Sequence, residues 1–97
     1  MKTDILTMIE VLLNLIKDYN ISGVQAQVGN LICLKADLKN SINLTNRDKL
    51  TLYRALFPPH GGLSDIHYWD NNFELRKSIN EQISTATTVI ANFLLDK

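Results

Sequence analysis

The chain has 97 residues, and its ten basic and ten acidic side chains leave a formal net charge of zero. A chain this short builds one core but no deep cofactor chamber, so a single domain over 1–97 is expected, suited to surface recognition rather than multistep chemistry. Balanced charge supplies no field to gather phosphate backbones or anionic lipid, so neither nucleic acid nor membrane is an expected partner.

Cys33 is the single cysteine and has no internal disulfide partner, which fits a reducing compartment. The opening Met1-Lys2-Thr3-Asp4 leads into an apolar run broken by Glu10 and Asn14. It resembles neither a signal peptide nor a membrane span, which needs about 20 mostly apolar residues. A cytoplasmic protein is the expectation.

In chain order, Ile5, Met8, Ile9, Leu12, Leu15, Ile16 and Tyr19 recur at spacings of three and four and predict a first helix from about Thr3 to Tyr19. Thr3 is the expected cap, with Asp4 suited to the positive end of the helix. Leu13 widens the apolar face, so packing on more than one side is expected. Asn20 and Ser22-Gly23 mark a break, and Val24, Val28, Leu31, Ile32 and Leu38 predict a second helix to about Lys39. Gly29 lies inside it, which reads as a close approach to another helix. Cys33 has no histidine placed to activate it and reads as a buried structural thiol.

Asn40 to Leu44 forms a short connection. Thr45-Asn46-Arg47-Asp48 is a capping box with aspartate in place of the usual glutamate, and it predicts the start of a third helix. Leu50, Tyr53, Leu56 and Phe57 supply that helix's core stripe, and Pro58-Pro59 ends it, since proline lacks an N–H and disfavours helical geometry in the residue before it. Asn72 is the preferred cap of a last helix whose stripe runs through Leu75, Ile79, Ile83, Ala86, Ile90, Phe93 and Leu94. The fold class is therefore all-α: a compact four-helix bundle-like domain with a long Pro/Gly-containing loop between helices three and four.

That loop, Phe57 to Asp70, gathers both prolines, both histidines, the only tryptophan and two of the four glycines. His60, Asp65 and His67 are metal-ligating types, but their spacing matches no zinc pattern, and no metal or other cofactor is expected. A histidine acting as a base would need a nucleophile and a pocket that the sequence does not supply, so no catalytic residue is assigned and an enzyme is not expected. Gly61-Gly62 lacks the lysine, strand and spacing of a phosphate-binding loop and reads as backbone at positive φ after the prolines. Ser64-Asp65 suits the cap of a short helical turn. For Trp69 two readings stand: it closes the end of the core with its polar tip bonded to a carbonyl, or it faces outward.

The order Leu52, Arg54, Leu56, Phe57 at a helix end, then Gly61, Gly62, Ser64 and Asp65 ahead of an aromatic and acidic stretch and a final helix, resembles a group of small bacterial helical proteins. Their loop carries a Gly-Gly-x-x-Ser-x-Asn-Asp-like signature, and they look like immunity or accessory proteins encoded beside toxins. The resemblance runs from about Leu50 to Ile83, and Pro58-Pro59-His60 is an insertion relative to the pattern. It implies binding and neutralisation of a protein partner, a toxin domain encoded nearby.

Independently, the loop concentrates the residue types enriched at interface hot spots. The expected contact set is Arg54, His60, Asp65, His67, Tyr68, Trp69, Asp70 and Glu74, with Asp65 and Asp70 suited to a basic surface. The alternative is a helical adaptor or secretion chaperone whose long last helix docks a partner helix. Homodimerisation is compatible with either role.

Overall fold

Four helices, α1 (Lys2–Asp18), α2 (Gln25–Lys39), α3 (Asn46–Leu56) and α4 (Phe73–Leu94), and one 3-10 turn (Leu63–Asp65) make up the regular structure of the computed structural model. The model describes residues 2–59 and 61–95, with side chains from Ile5 onward. No strand occurs among the described residues.

The helix boundaries follow local chemistry. Thr45 accepts from the Asp48 N–H at 3.1 Å while the Asp48 carboxylate accepts from the Thr45 N–H at 3.2 Å, so the capping box forms with the shorter acid. α3 stops at Leu56, two residues before the proline pair. Asn72 caps α4 through the Leu75 N–H at 3.1 Å, and Glu74 lies in the first turn. At the end of α1 the Ile21 N–H reaches the Ile16 carbonyl and Asn20 sits at φ 55°, a Schellman motif with asparagine in the left-handed position. The same motif ends α2, where the Ile42 N–H bonds Asp37 O and Ser41 sits at φ 56°. Thr3 lies within α1 rather than ahead of it, so it is not the cap expected there.

The helices run alternately up and down. Met8 and Val11 share a groove with Ser78, Glu81, Gln82 and Thr85, while Tyr19 meets Tyr68 just ahead of α4, so α1 and α4 are antiparallel. Glu10 pairs with Lys35 and Lys39, tying α1 to the C-terminal part of α2. Gln27 donates to the Ala55 carbonyl at 3.3 Å, joining the start of α2 to the end of α3. Lys49 lies 4.8 Å from the centroid of the Phe93 ring, joining the start of α3 to the end of α4. Each helix thus packs against its chain neighbours and α4 closes on α1, the most extensive pairing.

Ile5, Ile9, Leu12, Leu15 and Ile16 of α1 meet Ile79, Ile83, Ala86, Ile90 and Leu94 of α4 in a core completed by Val24, Leu31, Leu34, Leu56 and Leu63. Among the described residues no polar or charged one is buried in it. Leu13 is half-buried, and α1 packs on both α2 and α4 as its wide apolar face implies.

α2 departs from expectation. Cys33 is exposed, not buried, and an added Cβ at Gly29 would meet nothing within 4 Å, so no helix approaches there. The cause is position at the periphery: α2 packs chiefly on α1 and α3, and its apolar and small residues are spread around the helix, so half of them necessarily face outward. Ala26, Gly29, Ile32, Cys33 and Ala36 form that outer face. Leu50, assigned to the α3 core stripe, is likewise 40% exposed.

Candidate functional site

The α1–α2 connection (19–24) and the α3–α4 loop (57–72) lie at the same end of the bundle, where they enclose an open cleft of about 350 Å³. Its walls include Tyr19, Ile21 and Val24 on one side and Gly61, Asp65, Ile66, His67, Tyr68 and Trp69 on the other.

The loop is built around the double glycine. Gly61 and Gly62 adopt φ 76° and 75°, as the sequence predicts. Gly62 has ψ −160°, a conformation reached almost only by glycine. A Cβ there would stand 2.5 Å from Pro58 Cδ and 2.8 Å from the Leu56 carbonyl oxygen, so the chain turns in the space left by its missing side chain. Asp65 locks the turn, its carboxylate accepting from the Gly61 N–H at 2.6 Å and its N–H donating to Gly62 O at 3.2 Å. Leu63 is buried in the core, and Ser64 and Asp65 complete the 3-10 turn.

Past this turn the chain is clamped to α4 by Asn80. Its amide oxygen accepts from the Tyr68 N–H at 2.8 Å, and its amide nitrogen donates to Tyr68 O and Arg76 O, both at 2.9 Å. One side chain therefore satisfies both backbone groups of Tyr68, as an extra strand would. The Tyr68 ring packs edge-on against Tyr19, with centroids 5.1 Å apart, and its hydroxyl donates to Asp70 at 3.0 Å. Desolvation by burial, then the hydrogen bond to Asp70 and that residue's negative charge, raises the Tyr68 pKa above its ordinary value. The other Asp70 oxygen accepts from the Asn72 N–H at 2.8 Å, which sets the N-cap of α4.

Asp65 and Asp70, expected to meet a basic surface, thus also have internal roles in shaping the loop. Tyr68 anchors the loop, and His67 is exposed on the cleft wall. Arg54 and Glu74 are exposed on α3 and α4, and neither lines the cleft. His60 lies outside the described residues. Among the described residues no set of three His, Cys, Asp or Glu side chains is grouped to hold a metal ion.

Trp69 takes the outward reading. It is 66% exposed, and the Arg76 guanidinium lies 4.2 Å from its ring centroid. The same guanidinium is 5.3 Å from the ring of Phe73, itself 61% exposed. Trp69, Phe73 and Arg76 make one patch beside the cleft, with Trp69 belonging to both. Phe73, Arg76 and Asn80 escaped the sequence reading, although a signal exists. They follow one another at spacings of three and four, which forms a row on the flank of α4, and Phe73 is out of phase with the core-facing Leu75–Ile79–Ile83 stripe.

No helix among the described residues is long and apolar enough to cross a membrane. Comparison with protein-family models, curated proteins and solved structures finds no match to this chain, so the site's own geometry carries the functional argument.

Proposed function

We propose that this chain is a small cytoplasmic immunity protein that binds a cognate bacterial toxin domain, encoded nearby, and neutralises it by stoichiometric occlusion without catalysis. The observation that supports this reading is Trp69, displayed on the rim of the cleft and held there by Arg76 rather than folded into the core. An exposed tryptophan and arginine fixed in advance are the usual components of an interface hot spot, because their side-chain entropy is already lost before the partner arrives. The contact surface is the loop end of the bundle: Trp69, His67 and Tyr68 around the cleft, with Phe73 and Arg76 beside it.

The adaptor reading relied on an apolar stripe of the last helix free to dock a partner helix. Ile79, Ile83, Ala86, Ile90 and Leu94 of that stripe are buried against α1, so no observation favours it. The test is co-expression with the product of the adjacent gene. Growth rescue together with an equimolar complex is the expected result, and a growth-arresting partner that the chain neither binds nor silences would remove the proposal.

A further inference from the structure

The Trp69–Arg76–Phe73 patch has a defined chemistry of its own. One guanidinium lies against two exposed rings, and no carboxylate among the described residues forms an ion pair with it. The backbone of Arg76 is fixed on both sides, its N–H on Asn72 O at 2.9 Å and its carbonyl on the Asn80 amide at 2.9 Å. Stacking on an aromatic face orients the planar guanidinium while leaving its N–H groups available at the edge, where a carboxylate is taken through two parallel hydrogen bonds.

We infer that the Trp69–Arg76–Phe73 patch receives an Asp or Glu side chain of a protein partner, with apolar partner residues covering the two rings. This deepens the proposed function and rests on it for the identity of the partner. Charge complementarity selects the occupant. A second copy of the chain, docked through the same patch about a two-fold axis, would set Arg76 against its own equivalent, which opposes a symmetric dimer through this face. Asp70 and Glu74, close in sequence on either side of Phe73, disfavour a doubly charged phosphate more than a singly charged carboxylate. The fork of Arg76 matches the carboxylate, and the flanking rings supply the apolar surround that strengthens the ion pair by excluding water.

The experiment is selection of a random linear peptide library on the whole protein, with counter-selection on a Trp69→Ala/Phe73→Ala variant so that recovered peptides are directed to the patch. Binding is read from the emission of Trp69, the only tryptophan in the chain. The expected peptides carry Asp or Glu beside aliphatic or aromatic residues. Affinity should fall about tenfold or more for Arg76→Gln and equally when the peptide's carboxylate becomes an amide. Arg76→Lys, which keeps the charge but not the fork, should fall between. Circular dichroism of each variant confirms that the helices persist. Recovery of basic or uncharged peptides, no recovery at all, or an affinity unmoved by Arg76→Gln in a folded protein overturns the inference. The two readings fail separately. Rescue of growth that survives Arg76→Gln removes the carboxylate and leaves the immunity role, whereas acidic peptides on the patch without any rescue leave the carboxylate and remove that role.

Discussion

Among the exposed surfaces of this bundle that contain apolar residues, the outer face of α2 and the patch at the loop end differ in what holds them. The outer face of α2 displays Ala26, Gly29, Ile32, Cys33 and Ala36 with no aromatic ring and no charged group on that stripe. The patch at the loop end brings Trp69, on a loop held by Gly62, Asp65 and Asn80, and Phe73, at the start of α4, against the Arg76 guanidinium. Exposure alone is common on protein surfaces and carries no message. A large aromatic side chain set against a guanidinium on a pinned loop is a stronger sign of recognition, because water-exposed tryptophan has no folding reason to be held there.

The sharpest way to break this contrast is to remove the loop's turn. Gly62→Ala drives a Cβ into Pro58 and the Leu56 carbonyl at positive φ, so a loss of about 2–4 kcal/mol is expected in chemical denaturation, together with loss of the ordered loop. Next comes the clamp. Asn80→Ala leaves the Tyr68 N–H and C=O without their partner and should cost about 1–3 kcal/mol. Amide exchange at Tyr68 should accelerate ahead of that in α1 and α4, since the loop is released before the core.

On the α2 face the expected change has the opposite sign. Gly29→Ala places a methyl in open space on a helical backbone and should stabilise by about 0.5–1 kcal/mol. A loss instead would mean that something does pack there. The smallest effect is on pH dependence. Because the Tyr68 pKa is raised in the fold, its contribution is fully present below the unfolded value near 10 and is lost as pH rises through the higher folded value. Alkaline unfolding above pH 10 should therefore be slightly shallower in Tyr68→Phe than in the parent chain.

The same contrast explains which parts could be read from sequence. The Thr45–Asp48 box, the Asn72 cap, the proline stop and the positive φ of Gly61-Gly62 each depend on a few adjacent residues, and all appear as expected. The α4 stripe was readable because its apolar residues keep to one face. The burial of α2 was not, since apolar residues all round a helix do not say which side meets the bundle. Cys33 and Gly29 were misplaced for that reason. The spacing of Phe73, Arg76 and Asn80 marks a row on α4 but not what the row meets, because their roles depend on a loop that returns across that helix.

The central claim is that the loop end, and not the α2 face, is the recognition surface. Titration of the adjacent gene's product against two variants tests it most directly: Trp69→Ala/Arg76→Gln at the loop end and Ile32→Ala/Cys33→Ser on α2. The first should weaken binding by about a hundredfold, in line with the loss of two hot-spot residues, and the second should bind as the parent does. Binding that survives the first and collapses with the second would contradict it.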